Sequence, residues 1–251
     1  MGIHFVNISE KEFLKLKFLY KIMPLEYALA FFETGGFWFA KPTVWEDPYE
    51  KRFIDATYNG KKFIWKDRVF CTCMTGIHSS EALWNMYSKN SIAVQFCLRR
   101  EDLLYILNDY VKDNPTHEIY IGRVEYLNTN EINMPLKQIP FSVPSPSINP
   151  NNSKLAAKLL LLKRIAYEYE KEIRIMIVKP MSTSENGISV PYDKNNLNFI
   201  ERITLDPKIS RYEEIAFKKV FNYFLHNNTT RSKVFKSSLY KQKKTVHYIT
   251  K

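Results

Sequence analysis

The chain has 251 residues, 45% of them hydrophobic and 15% aromatic, which is enough for a large packed core. Glycine is scarce at 7, and no GxGxxG, GxxxxGKS or GxxxxGKT pattern occurs, which argues against a Rossmann dinucleotide loop and a P-loop. The net charge of +11 favours polyanionic partners, nucleic acid or an anionic substrate, although part of it sits in a late basic run at Arg231, Lys233, Lys236, Lys241, Lys243 and Lys244 that also reads as a solvated tail.

In chain order, Ser9 to Phe18 opens with a capping box, Ser9 facing Glu12, and predicts a short helix. Phe18 to Met23 reads as a strand, Leu25 to Glu33 as a helix stopped by Gly35-Gly36, and Phe37 to Ala40 as a second strand. Lys41 to Glu50 is a loop carrying Trp45, Asp47 and Glu50, its shape constrained by two prolines, Pro42 and Pro48. Strands follow at Val69 to Met74 and Ser91 to Phe96, with a short helix at Ser80 to Tyr87 between them carrying Trp84 and Tyr87 on one face. Arg100 to Tyr110 is an amphipathic helix and Ile119 to Tyr126 a half-exposed strand. Residues 135–152 form a Pro-rich loop, Ser153 to Ala166 the strongest helix pattern in the chain, and Ile188 to Val190 and Phe199 to Leu205 further strands. Tyr212 to Leu225 is a helix and Ser232 to Leu239 a last strand before the basic segment 231–251. The elements lack a regular βαβ alternation, so the expected fold is a single α+β domain with a mixed, largely antiparallel sheet flanked by helices.

Cys71, Cys73 and Cys97 are odd in number, and Cys71-Thr72-Cys73 lacks the two-residue gap of zinc ligands. They read as thiols of a reduced, cytoplasmic protein, and no metal spacing links the histidines, of which His78 is expected in a solvated loop. The start has no secretory pattern, and no run of about 18 apolar residues suggests a membrane span.

Chemistry is concentrated at Tyr167 to Val178. If the chain is extended from Glu168, then Glu168, Glu170, Glu172 and Arg174 share one face. Such a face is costly to bury unless the charges pair or do work; the competing reading is a solvated edge with a weak ion pair to Arg174.

Four segments fall in a characteristic order: Leu19-Tyr20-Lys21, Pro42 to Glu50, Leu83-Trp84-Asn85-Met86-Tyr87-Ser88, and Tyr169-Glu170-Lys171-Glu172-Ile173-Arg174. Together, over residues 19–205, they resemble the bacterial domain-of-unknown-function family 2971, with its LYKY-like start, NDPFE-like loop and YE-x-EYR ending. Trp45-Glu46 stands where that family has Phe-Asn, Asn85 and Met86 replace Ser and His, and the glycine usual after the Tyr87 helix is missing.

The order of parts also looks like that of ADP-ribosyltransferases, which implies NAD as substrate and an ADP-ribosyltransferase-like fold. In that likeness Glu172 is the catalytic carboxylate and Glu170 positions the acceptor, while Tyr20, Lys21, Trp84, Tyr87 and Arg174 hold the dinucleotide. Lys21 departs from the usual His or Arg of the first motif. The implied role is an NAD-consuming toxin or anti-phage effector acting on nucleic acid or protein. The alternative is a metal-dependent nuclease or nucleic-acid binder built on Asp47, Glu50, Glu170, Lys171 and Glu172. A non-enzymatic reading makes the Pro-rich loop a partner-binding segment.

Overall fold

The computed structural model describes residues 2–45, 47–54, 57–58, 61–62, 67–78, 80–133, 153–225 and 233–241. The Pro-rich loop 135–150 and most of the basic C-terminal segment lie outside these residues.

The chain runs β1 (Ile3–Val6), α1 (Glu10–Leu14), β2 (Phe18–Pro24), α2 (Leu25–Thr34), β3 (Gly36–Ala40), α3 (Pro48–Ile54), the short pair β4 (Thr57–Tyr58) and β5 (Lys61–Lys62), β6 (Val69–Thr75), α4 (Glu81–Tyr87), β7 (Ala93–Arg99) and α5 (Arg100–Asp113). It continues through β8 (Glu118–Arg123), β9 (Glu125–Leu127), α6 (Thr129–Asn133), α7 (Ser153–Leu159), β10 (Leu162–Arg164), β11 (Glu172–Val178), β12 (Gly187–Pro191), β13 (Ile200–Leu205), α8 (Arg211–Leu225) and β14 (Val234–Lys236). The local signals explain several boundaries. Ser9 and Glu12 form the expected capping box on α1, and α2 ends where Gly35 takes a left-handed conformation, φ 70°.

The main sheet has the order β1-β8-β11-β6-β2-β7-β13-β14 and forks at β6. One end of β6 pairs with β2, Thr75 opposite Tyr20, and the other end with β3, Cys71 opposite Ala40; β12 continues that second branch. The β1–β8 and β13–β14 pairs are parallel and the other pairs of the main sheet antiparallel, so the expected α+β fold with a mixed, largely antiparallel sheet is the observed one. At the fork the carbonyl of Cys73 accepts from the ammonium of Lys21 at 3.2 Å, which Thr72 Oγ1 also binds at 2.8 Å.

All of β11 is buried, and it serves two cores by alternation. Ile173, Ile175 and Ile177 join the larger apolar cluster with Phe70, Phe96 and Leu98. Met176 and Val178 face a second cluster formed with Tyr120 and Leu155 to Leu162. Glu172 and Arg174 belong to this second face, so their charges enter an apolar interior rather than water.

The predicted helix over 153–166 is much shorter than expected. α7 stops at Leu159, because Leu159, Leu160, Leu161 and Leu162 are each at most 3% exposed and the chain turns among them to reach β10. β10 pairs in parallel with β9, and the Leu161 carbonyl accepts from Glu125 N at 2.7 Å. Burial of the leucines and these sheet bonds override helix propensity.

Gly122, on β8 opposite Arg174, makes room for this turn: a Cβ there would lie 2.2 Å from Leu161 Cδ1. Gly122→Ala is expected to lower unfolding stability by about 1–3 kcal/mol in denaturant titration, as overpacking does; an unchanged midpoint would show that Leu161 is free to move.

Candidate active site

The site begins with a break in the chain's period. Ile165–Glu170 form a 3-10 turn, Lys171 adopts φ 45°, and β11 starts at Glu172. The expected extension from Glu168 is therefore corrected: Glu168 leaves for the surface and pairs with Lys171 at 2.9 Å. A non-glycine residue in the left-handed region costs roughly 1–2 kcal/mol. Here that turn brings the side chains of Glu170 and Glu172 onto the same ammonium. Thr75 Oγ1 fixes the turn by donating to the Glu170 carbonyl at 2.7 Å.

The shared ammonium is Lys163, on β10. Its Nζ lies 2.6 Å from Glu170 Oε2, 3.0 Å from Glu172 Oε2 and 4.0 Å from Glu50 Oε1. Arg174 grips Glu172 with two nitrogens, Nε to Oε1 at 2.8 Å and Nη2 to Oε2 at 3.0 Å. Its remaining donors reach Glu50 and the Leu160 carbonyl just past α7, and its guanidinium stacks 4.3 Å over the Trp45 ring. Asp47 caps α3 by accepting from Tyr49 N at 2.9 Å and holds Arg164 at 3.1 Å. The Trp45–Glu50 segment and the Glu170–Arg174 segment thus interlock through one buried ion network.

Burial and charge balance set the proton affinities. Among the described residues, Glu50, Glu170 and Glu172 form ion pairs with Lys163 and Arg174, so full ionisation of these five groups leaves one negative charge in excess. Burial and the neighbouring Glu172 push Glu170 up to about 7, against the pull of Lys163. Glu172 is also penalised by burial, but Arg174 and Lys163 together hold it well below the usual carboxylate range. Two adjacent carboxyls thus differ in protonation near neutral pH, the pattern expected of an acid–base pair. The Cys73 thiol is pushed up by burial and by the nearby Glu172 carboxylate.

Tyrosines surround the pair. Tyr126 Oη accepts from Glu172 N at 2.8 Å, and the Tyr167 ring lies 4.9 Å from Lys163 Nζ. Tyr169 is exposed, and Glu170 and Lys163 both act on its hydroxyl. Tyr87 is half-buried; burial first, then Cys73, Glu172 and Glu170 push its hydroxyl pKa upward.

Of the residues singled out from the sequence, Glu170 and Glu172 meet at Lys163, and Tyr87, packed on the Trp84 cluster, is near enough for both carboxylates to act on its hydroxyl. Tyr20 is next to the site, opposite Thr75 in the row that contains Glu172. Three expectations are corrected. Trp84 is 1% exposed and packs on Ile22 and Ala93, so its ring is core and offers no open stacking face. Arg174 is 1% exposed with its donors spent on Glu50, Glu172 and Leu160, so it organises the carboxylates and is not free to hold a ligand. Lys21 is held on Thr72 and Cys73 at the fork, where burial lowers its proton affinity. Alternation puts it on the sheet face opposite Tyr20 and Glu172.

The metal-centred cluster is corrected as well. Lys163 Nζ occupies the space between the carboxylates, Asp47 is committed to Arg164, and Lys171 is at the surface. Among the described residues, no group of three or more His, Cys, Asp or Glu is arranged to hold a metal ion. The sequence reading missed Lys163, absorbed into an overlong helix, and Tyr126. Among the described residues no helix is long and apolar enough to cross a membrane, and all three cysteines are free.

No family model and no curated protein matches the chain. Among solved structures, Thermus sp. 2.9 DarT in complex with NAD+ aligns with a TM-score of 0.38 at 11% identity, over 89% of this chain and 96% of that one. The same protein in complex with ADP-ribosylated ssDNA aligns with a TM-score of 0.38 at 9% identity, over 89% and 95%. At these values neither the fold nor the chemistry of those structures carries over to this chain.

Removing one partner of the network strands a buried charge, so Arg174→Met is expected to cost about 3–5 kcal/mol, and Arg174→Lys, lacking the two-pronged fork, to recover only part of it. A stability loss below about 1 kcal/mol in denaturant titration would place the guanidinium in water. The pH dependence has a definite sign. Between its ordinary value of 4.5 and about 7, folded Glu170 holds a proton that the unfolded chain releases, so its contribution to stability falls as pH rises through that window. Thermal unfolding of Glu170→Gln against pH is expected to lack that decline, and an identical profile to wild type would contradict the raised affinity.

Proposed function

We propose that this chain is an NAD-consuming, ADP-ribosyltransferase-like enzyme, a member of domain-of-unknown-function family 2971 acting on a nucleic-acid acceptor. The observation that carries the reading is the Glu170–Glu172 pair: two carboxyls on one ammonium, split in proton affinity, inside a surround of tyrosines. Transfer of ADP-ribose breaks the bond between nicotinamide and ribose C1′, nicotinamide leaving with the electron pair, and develops positive charge on the ribosyl group. A carboxylate fixed in its ionised form, as Glu172 is, stabilises that charge without reorganising. The acceptor oxygen or nitrogen then bonds to C1′ and gives up its proton, and a carboxyl titrating near 7, as Glu170 does, is matched to receiving it. Tyr87 and Tyr169 offer aromatic faces for the departing ring.

The net charge of +11 favours a nucleic-acid acceptor over a protein one through long-range attraction, so turnover should fall as salt rises. In this reading the chain serves as a cytoplasmic effector, a toxin or an anti-phage defence protein.

Nicotinamide release from labelled NAD, with single-stranded nucleic acid present, provides the test. The rate should rise with pH to a plateau above about 7, the sign of a base that must lose its proton. Glu170→Gln should lower it about 100-fold or more, and Glu172→Gln should abolish it while the folded spectrum persists. Release that survives in folded Glu172→Gln would reduce the network to a structural one.

A further inference from the structure

The row that contains Glu172 extends well beyond the carboxylates. Glu172 lies opposite Thr75, Thr75 opposite Tyr20, Tyr20 opposite Cys97, and Cys97 opposite Arg202, so these side chains share one face across β11, β6, β2, β7 and β13. At ~4.8 Å per strand the row spans about 19 Å. Tyr20 and Cys97 are direct cross-strand neighbours, and the exposed His78 ring stands edge-on over Tyr20 at 5.4 Å.

Arg202 ends the row, and it is placed there by a register irregularity in β13 between Ile200 and Arg202, the kind of bulge that re-aims a side chain. Its Nε is buried and has no hydrogen-bond partner among the described residues. A buried donor left unpaired costs about 1–3 kcal/mol and calls for an acceptor. Among the described residues no carboxylate supplies one: the adjacent Glu201 is committed to Arg99 at 2.8 Å. After burial, the Arg202 charge is a further influence on the proton affinities of Tyr20, His78 and Cys97, and it lowers each.

We propose that Arg202 is the anion-binding residue of this face, taking the diphosphate of a dinucleotide whose reacting ribose lies at Glu172. The proposal deepens the NAD-consuming reading and rests on it. A guanidinium with a free Nε–H matches phosphate oxygens in geometry and charge, and a ligand reaching from Arg202 toward Glu172 runs past the exposed His78 ring, which covers the buried Tyr20. The orphaned donor is then the half of a contact that the diphosphate completes.

Titration calorimetry on the full chain, with ADP-ribose, inorganic pyrophosphate and nicotinamide riboside as probes, tests this in wild type, Arg202→Gln and Arg202→Lys. Arg202→Gln should weaken ADP-ribose and pyrophosphate at least about tenfold and leave nicotinamide riboside unchanged, with Arg202→Lys in between. Its melting temperature should hold or rise, because removal of an unpaired buried donor forfeits no bond. Equal ADP-ribose affinity in folded wild type and Arg202→Gln would overturn the assignment while leaving the NAD reading intact. Pyrophosphate binding that depends on Arg202, with no affinity for ADP-ribose, would sink the NAD reading and keep the anion site. Loss of affinity for all three probes alike would mark Arg202 as structural and overturn the assignment.

Discussion

The two-pronged bond from Arg174 to Glu172 is the interaction on which the rest depends. It lies inside a strand buried on both faces, where each charge offsets much of the cost of burying the other. The other Arg174 donors engage α3 through Glu50 and the end of α7 through the Leu160 carbonyl, and its guanidinium face stacks on the Trp45 ring of the preceding loop. Glu172 has acceptor capacity to spare and uses it on Lys163, which fixes β10. A single ion pair therefore ties together segments far apart in sequence.

A network this deeply buried is an expensive way to hold helices together. Apolar residues of similar volume commonly do so as well or better. Its distinguishing product is electrostatic: with two cations serving three carboxylates, one negative charge is left over, and it is Glu170 whose proton affinity absorbs it. Glu172 is thereby held ionised and its neighbour poised near neutrality. The left-handed Lys171 between them is the backbone strain that accompanies this arrangement.

Much of this was legible in the sequence, and the failures have physical causes. The capping box at Ser9, the glycine stop at Gly35 and the alternating strands were local signals, and local structure follows them. Glu170 and Glu172 were legible as a pair because they stand two residues apart where the strand begins. Lys163 was hidden because a leucine-rich run favours helix until burial on every side and a parallel partner strand outweigh that propensity. Lys21 was misassigned because sequence shows neither a forked sheet nor the carbonyl that the fork leaves for its ammonium. Trp84 and Arg174 were misread for one reason: an aromatic ring or a guanidinium looks the same in sequence whether it faces a ligand or the core, and both are buried.

The most direct test of the split pair is a titration of the glutamate side-chain carboxyls by carbon-13 NMR, assigned with Glu170→Gln and Glu172→Gln. One carboxyl of the pair should titrate near 7 and the other should stay ionised to the lowest pH at which the fold survives. Two carboxyls titrating together near 4.5, the ordinary value, would mean that the pair is solvated and that its chemistry is not set by Arg174 and Lys163.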